Sequence, residues 1–177
     1  KGSREVDIVT LSHAGRGLPC KILRMAATGI LPSDAMSPWQ VPPGVRTVEQ
    51  AIHWAAGVLD GHALSYGHGT DNSFDDAAAL VFHAGAYDHA EAAVVYPRVL
   101  PKAAADRLAT LLERRVVDRL PSAYLTGRTW FAGLEMRCGP GVLVPRSPLA
   151  ELIVQGFRPF LRPERLRRIV DVGTGSG

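Results

Sequence analysis

The sequence is poor in the features that mark membrane proteins, metal sites and nucleic-acid binders. No apolar run approaches the ~20 residues that a membrane-spanning helix needs. The two cysteines, Cys20 and Cys138, have no second Cys or His beside them at the spacing of a metal site. With 20 Lys and Arg against 17 Asp and Glu, the net charge is only +3, so electrostatics alone predicts no direct nucleic-acid binding. We therefore expect a protein of the reducing cytoplasm that binds neither a membrane nor a metal.

The composition is that of a folded chain, and it changes along the sequence. Apolar residues make up 46% of the 177 positions, enough for the core of one domain, or of one domain and the start of another. Glycine and proline interrupt residues 1–44 throughout, so we expect this segment to be irregular and outside the native fold. Helical patterns fill residues 45–125, a short aromatic β-hairpin linker is expected over 126–146, and residues 147–177 begin a second domain. The predicted fold class is α/β.

Three helices are predicted in the helical region. Thr47 and Gln50 match a capping box, and apolar residues at helical spacing continue from there to about Gly61. A second helix is expected over residues 73–85, with two aspartates in its first turn, where the helix dipole favours negative charge. A third is expected over residues 101–120, with an apolar stripe and a solvated polar face. The charged residues predicted to lie mostly outside the stripe are Arg107, Glu113, Arg114, Arg115, Asp118 and Arg119.

The second domain is predicted to start with a helix and a strand that ends in a glycine-rich loop. Ser147 and Pro148 are typical of a helix start, and this helix is expected to reach Phe160. A short buried strand is predicted over residues 168–172. The loop that follows has glycines at alternate positions, so its backbone can approach a ligand closely. The candidate cofactor contacts are Asp171, Gly173, Thr174, Gly175, Ser176 and Gly177.

The residues of this loop leave three interpretations open. A dinucleotide-binding fingerprint needs G-x-G-x-x-G, whereas this loop is G-x-G-x-G, which resembles the first motif of class I S-adenosylmethionine-dependent methyltransferases. In those enzymes the loop takes the methionine part of the cofactor, and the acidic residue before it helps to hold the loop and the ammonium group. A nicotinamide or flavin enzyme and a structural glycine turn are the other two interpretations.

A longer string upstream of the loop narrows these alternatives. The segment Arg119-Leu120-Pro121-Ser122-Ala123-Tyr124-Leu125-Thr126 resembles the R-x-P-x-A-Y-L-T signature of the protein-(glutamine-N5) methyltransferase family. As in that family, it is followed by an aromatic strand with Trp130-Phe131, by Leu143-Val144-Pro145-Arg146, by a helix and by the cofactor strand. The resemblance covers residues 47–177 and leaves residues 1–35 outside it.

Two further strings distinguish the branches of this family. The branch that acts on peptide-chain release factors usually continues Pro-Arg with Pro-Asp-Thr-Glu, whereas this chain has Pro145-Arg146-Ser147-Pro148 followed by Leu149-Ala150-Glu151. The segment Tyr66-Gly67-His68-Gly69-Thr70-Asp71-Asn72 is similar to a string in the N-terminal domain of the other branch, which methylates ribosomal protein three of the large subunit. The resemblance therefore favours the ribosomal-protein branch, and release-factor methylation is the alternative.

The resemblance implies both a fold and an activity. The fold would be a small helical substrate-recognition domain, a β-hairpin linker and the truncated start of a class I, Rossmann-like methyltransferase domain. The enzyme would transfer a methyl group from S-adenosylmethionine to a glutamine side-chain amide of the unassembled ribosomal protein, with Arg146 at the border of the active site. The family's Asn-Pro-Pro-Tyr motif, which positions that amide, does not occur in these 177 residues. We therefore assign no catalytic residue and expect a fragment without activity of its own.

Several of these assignments have an alternative. His68 and Asp71 either hold their loop through side-chain hydrogen bonds or dock the ribosomal protein. Arg146 either contacts cofactor or substrate, or forms a surface or structural ion pair. For the chain as a whole, the alternative to an enzyme is a module that binds the ribosomal protein without chemistry.

Overall fold

The computed structural model describes residues 7–11, 37–67, 69–158 and 160–175, which fall into two compact units. The larger unit lies within residues 36–154 and the smaller one within residues 1–35 and 155–177. Short 3-10 turns occur at His89–Glu91 and Pro163–Arg165. In chain order, the helices and strands are β1 (Asp7–Leu11), α1 (Val48–Asp60), α2 (Ser73–Gly85), α3 (Ala92–Val95), α4 (Lys102–Val116), α5 (Ser122–Thr126), β2 (Arg128–Phe131), β3 (Leu134–Arg137), α6 (Ala150–Val154) and β4 (Arg168–Val172).

The core of the larger unit lies among α1, α2 and α4. The capping box predicted for α1 is confirmed: the Thr47 hydroxyl accepts a hydrogen bond from the backbone of Gln50, and the Gln50 side chain accepts one from the backbone of Thr47. Each helix buries one apolar face, as its sequence pattern predicts. The fully buried side chains of the core include Val48, Ile52, Leu59, Leu80, Val81, Phe82, Val95, Leu108 and Leu112.

The segment before α1 packs against this core, which differs from the prediction for residues 1–44. Trp39 and Val41 contact the core cluster, as does Val45 at the start of the helical region. The prolines of this segment prevent a regular element, but they do not prevent apolar side chains from packing on neighbouring helices. Residues 12–36 lie outside the described residues.

In the smaller unit, β1 and β4 form a parallel pair in which Asp7 lies opposite Arg168 and Leu11 opposite Val172. The prediction of an irregular N-terminal segment was wrong for β1. The signal was the run Ile8-Val9-Thr10, because consecutive β-branched residues favour a strand.

Two helices are shorter than predicted. Helix α4 ends at Val116, before Leu120, and Arg119 takes a left-handed φ of 54°. Helix α6 spans only Ala150–Val154 instead of residues 147–160. The chain leaves the helical conformation at Gly156 and Phe157, whose φ angles are 65° and 59°. Left-handed residues end the hydrogen-bonded ladder of a helix even where the apolar spacing continues.

The predicted hairpin is confirmed. Strands β2 and β3 pair antiparallel, with Phe131 opposite Leu134. The two turn residues, Ala132 and Gly133, have φ angles of 50° and 79°, and a turn with two positive φ angles matches the twist of a tight hairpin. The described residues form helices, one parallel strand pair and one antiparallel strand pair. This combination is consistent with the α/β class. Among the described residues, no helix is both long and apolar enough to cross a membrane.

Candidate functional site

The loop after β4 has a left-handed backbone at both of its described glycines. Gly173 and Gly175 take φ angles of 78° and 70°, which residues with a Cβ rarely adopt. A Cβ built on either glycine meets no heavy atom within 4 Å. The glycines therefore serve the backbone conformation and leave the backbone open to approach. Ser176 and Gly177, predicted to belong to the same loop, lie outside the described residues.

Two side chains beside these glycines have polar atoms suited to a ligand. Asp171 is exposed in β4, just before the loop. The hydroxyl of Thr174 is buried and has no hydrogen-bond partner among the described residues. Because a buried hydroxyl without a partner costs about 1–3 kcal/mol, a polar ligand that satisfied it would stabilise the loop. A carboxylate, a hydroxyl and accessible backbone N–H groups fit the amino and carboxyl groups of an amino-acid-like ligand such as the methionine part of S-adenosylmethionine.

The R-x-P-x-A-Y-L-T string folds largely as α5, which connects the helices to the hairpin. Ala123 is buried in a small cluster with Cys138 and Val144. The hydroxyl of Tyr124 donates a hydrogen bond of 2.5 Å to the carbonyl of Val142. These side chains therefore hold the segment after β3 against α5, which is a structural role.

The loop of residues 66–72 is shaped by its own hydrogen bonds. The backbone N–H of Gly67 donates to the carbonyl of Thr70 at 2.7 Å. The hydroxyl of Thr70 donates to Oδ1 of Asp76 in α2, also at 2.7 Å. The loop is therefore fixed to the start of α2 by a side chain of its own string.

A buried ion pair beside this loop was not predicted. Arg115 was expected outside the apolar stripe, yet it is only 4% exposed, and its Nε donates to Oδ2 of Asp76 at 2.6 Å. Its Nη2 donates to the carbonyl of Ser65 at 3.1 Å, and its guanidinium carbon lies 5.8 Å from the centre of the Tyr66 ring. The signal was in the spacing, because Arg115 follows Leu108 by seven residues and so lies on the same helix face.

Arg146 reaches the same loop. Its side chain is exposed, and its Nη1 donates to the carbonyl of Gly67 at 3.5 Å. Asp71 is exposed, and His68 lies outside the described residues. The docking role of these two residues and the place of Arg146 at the active-site border stay predictions. In the part of the chain that the structure describes, no cluster of three His, Cys, Asp or Glu side chains is arranged to hold a metal ion.

Comparison with known proteins shows what this chain is similar to. No family model matches it. Over 75% of its length, it is 39% identical to the ribosomal protein uL3 glutamine methyltransferase of Xanthomonas campestris pathovar campestris, 40% to that of Xylella fastidiosa and 39% to that of Bordetella pertussis. The match covers 43%, 43% and 45% of those proteins, so the chain spans less than half the length of the curated relatives it matches.

These relatives are protein-glutamine methyltransferases, the class that the α5 string and the loop after β4 indicate. Over three quarters of its length, the chain is similar to the ribosomal protein uL3 glutamine methyltransferase family. The family resemblance predicted from the sequence is thereby confirmed, and the ribosomal-protein branch is favoured over the release-factor branch.

Proposed function

We propose that this chain supplies the substrate-recognition unit and the first part of the cofactor site of an enzyme that methylates a glutamine of ribosomal protein uL3. The observation that carries the proposal is the identity of 39–40% to enzymes of that name. The open glycine loop after β4 supports it, because a methyltransferase needs such a loop for its cofactor. The proposed substrate is the unassembled ribosomal protein in the cytoplasm, without direct contact to nucleic acid.

S-adenosylmethionine is the proposed cofactor, and it supplies a methyl group activated by a positively charged sulfur. The carboxylate of Asp171 would hold the ammonium group of the cofactor, because charge-assisted hydrogen bonds are the stronger ones. The backbone of the loop and the Thr174 hydroxyl would hold its carboxylate. The residues proposed for this contact are Gly173, Thr174, Gly175, Ser176 and Gly177.

Methylation of a glutamine amide depends mainly on positioning. The lone pair of the amide nitrogen is delocalised into the carbonyl, so the nitrogen is a poor nucleophile. An enzyme gains most by holding the amide in line with the methyl group. The larger unit would bring the uL3 segment to that point, with His68 and Asp71 as docking residues and Arg146 at the border of the active site. The proposed Rossmann-like domain would begin within residues 147–177.

Substrate binding and methyl transfer test this proposal separately. We expect RNA-free uL3 to bind the 177-residue chain in calorimetric titration. Replacement of His68 and Asp71 by alanine together should weaken that binding without lowering the melting temperature. Equal binding with a lower melting temperature would return both residues to a structural role in the loop.

Methyl transfer is best followed in a chimera in which this chain replaces the matching segment of the Xylella fastidiosa relative. The chimera should transfer tritium-labelled methyl from S-adenosylmethionine to a uL3 glutamine, whereas the 177-residue chain alone is expected to be inactive. Asp171→Asn in the chimera should reduce transfer, and Glu151→Gln, which changes an exposed carboxylate of α6, serves as its control. Binding of uL3 without transfer by the chimera would favour the non-catalytic module, and absence of both would overturn the proposal.

A further inference from the structure

The larger unit contains a cleft that the proposed function does not use. It has a volume of about 300 Å³ and lies among α2, α5, β2 and the turn at His89–Glu91. This size is at the lower end for ligand sites, so the cleft accommodates a few side chains rather than a folded domain. Its lining includes Phe74, Ala79, Tyr96, Ser122, Thr129 and Trp130.

An unsatisfied hydroxyl lies in the lining of this cleft. Thr129 is 4% exposed, and its Oγ1 has no hydrogen-bond partner among the described residues. Gly69, which also lines the cleft, leaves room for this atom: a Cβ at that position would lie 2.6 Å from Oγ1. The absence of a side chain at Gly69, the second glycine of the 66–72 string, therefore lets the loop backbone pack against the buried Thr129 hydroxyl without displacing it. A ligand with a hydrogen-bonding group would offset the cost of this buried hydroxyl.

The charged side chains of the lining are matched by their neighbours. Asp75 accepts a hydrogen bond of 2.8 Å from the side chain of Asn72, and Arg128 lies 3.5 Å from Glu135. Burial, together with the nearby Arg128, lowers the pKa of His89 and so favours its neutral form. Among the described lining residues, the carboxylate and the guanidinium that a charged ligand would meet therefore already have a partner. A neutral polar group suits the cleft better.

One edge of β2 favours a peptide as the occupant. The tight turn makes Phe131 and Leu134 a hydrogen-bonded pair, and the alternation along the antiparallel ladder then directs the backbone N–H and C=O of Trp130 away from β3. No backbone–backbone hydrogen bond among the described residues uses these two groups. The Trp130 side chain is 52% exposed, and exposed aromatic residues are enriched at protein interfaces. An extended peptide can pair with such an edge and place side chains into the neighbouring cleft.

We propose that this cleft docks a short extended segment of the uL3 substrate, with a neutral amide or hydroxyl side chain of that segment bound to the Thr129 hydroxyl beside Phe74 and Trp130. The inference rests on the proposed function, which names the protein substrate and gives His68 and Asp71 as docking residues but assigns no role to this cleft. The cleft would give the larger unit a contact that recognises the sequence of the substrate outside the target glutamine.

Thr129→Val tests the inference directly, because it removes the hydroxyl and keeps the shape of the side chain. The variant should keep or raise the melting temperature and should weaken the binding of RNA-free uL3 about tenfold, the size of one well-placed contact. Ala79→Leu fills the cleft without touching the hydroxyl and should weaken binding at least as much. The matched control is Thr110→Val, which removes an exposed hydroxyl of α4 and should leave binding unchanged.

The outcomes distinguish this inference from the function it rests on. If uL3 binds the unaltered chain and both cleft variants equally, the docking site is overturned and the proposed function stands. If Thr129→Val lowers the melting temperature by several degrees and leaves the affinity unchanged, the hydroxyl belongs to the fold and the inference is also overturned. If the unaltered chain does not bind uL3, the proposed function and the docking site fail together.

Discussion

The two glycine-containing loops, residues 66–72 and residues 173–175, share positive backbone φ angles but differ in their surroundings. Gly69 has a φ of 104° and Gly175 a φ of 70°. A Cβ at Gly69 would lie 2.6 Å from Oγ1 of Thr129, whereas one at Gly175 would meet nothing within 4 Å. The first loop therefore packs against other residues of the protein, whereas the second has open space around its glycines. A positive φ therefore does not by itself identify a ligand loop, and the surroundings of the glycine decide.

The same difference appears in the side chains around the loops. Beside the first loop, the two carboxylate oxygens of Asp76 accept hydrogen bonds from Thr70 and Arg115. In the second loop, the buried hydroxyl of Thr174 has no partner among the described residues. Changes to the first loop should therefore appear as lost stability, and changes to the second should appear chiefly as lost ligand binding.

Among the changes that test this contrast, removal of the Asp76 carboxylate should cause the largest loss of unfolding free energy. In Asp76→Ala, Arg115 stays buried without its partner, and loss of one partner of a buried pair costs about 3–5 kcal/mol of unfolding free energy. Urea unfolding measures this loss. Asp75→Ala removes the adjacent exposed carboxylate and, as the control, should cost only about 0.5 kcal/mol through the helix dipole. Equal small losses for both variants would contradict an anchored loop.

Alanine substitutions in the two loops compare them directly. Gly69→Ala combines a strained φ with a clash against Thr129 and should cost about 2–4 kcal/mol. Gly175→Ala meets only the left-handed backbone penalty, about 1–2 kcal/mol, and that penalty falls on the smaller unit.

Tryptophan fluorescence can follow this comparison, because Trp39, Trp54 and Trp130 all lie in the larger unit. The urea transition seen by fluorescence should shift for Gly69→Ala and stay in place for Gly175→Ala. Equal shifts for the two variants would show that the loops do not differ as described.

Several features that depend on residues close together in the chain were predicted correctly from the sequence. The capping box joins Thr47 to Gln50, and the hairpin turn needs only Ala132 and Gly133 between two alternating strands. The loop after β4 was predicted for the same reason, because its glycines and preceding aspartate are consecutive in the chain. Local patterns were sufficient for these features, whereas the ends of α4 and α6 were predicted too late.

Long-range contacts were not predicted from the sequence. The Arg115–Asp76 pair joins residues 39 apart in the chain, and β1 pairs with a strand near the opposite end of the sequence. The cleft around Thr129 collects side chains from four separate elements, so no single string of residues indicates it. Such features depend on how the helices pack, which composition and periodicity do not specify.

The N-cap of α2 gives a smaller test at the end of the first loop. The side chain of Asn72 accepts a hydrogen bond of 2.9 Å from the backbone of Asp75, so Asn72→Ala should lose about 1 kcal/mol of unfolding free energy. Ser73→Ala is the control, because Ser73 is the first helical residue and not the cap. Urea unfolding should leave the Ser73 variant close to the unaltered chain. A larger loss of unfolding free energy for Ser73→Ala than for Asn72→Ala would mean that Ser73, and not Asn72, caps α2.

The smallest expected effect is on the pH dependence of the larger unit. Burial first, and then Arg128 and Arg107, lower the pKa of His83 below its ordinary value of 6.5. The unfolded chain therefore binds this proton more readily than the folded one. The stability due to neutral His83 is fully present above about pH 6.5 and is lost as the pH falls through the lower folded pKa. The unfolding free energy seen by tryptophan fluorescence should thus decrease from pH 7 to pH 5.

His83→Gln separates this contribution from the titration of carboxylates, because the glutamine takes up no proton. The difference in unfolding free energy between the variant and the unaltered chain should narrow or change sign in favour of the variant as the pH falls. Burial is also the main cause of the lowered pKa of His89. The double variant His83→Gln, His89→Gln should therefore flatten the pH dependence of the unfolding free energy further. Stability that rises on acidification would mean that the protonated imidazole has a partner in the folded state.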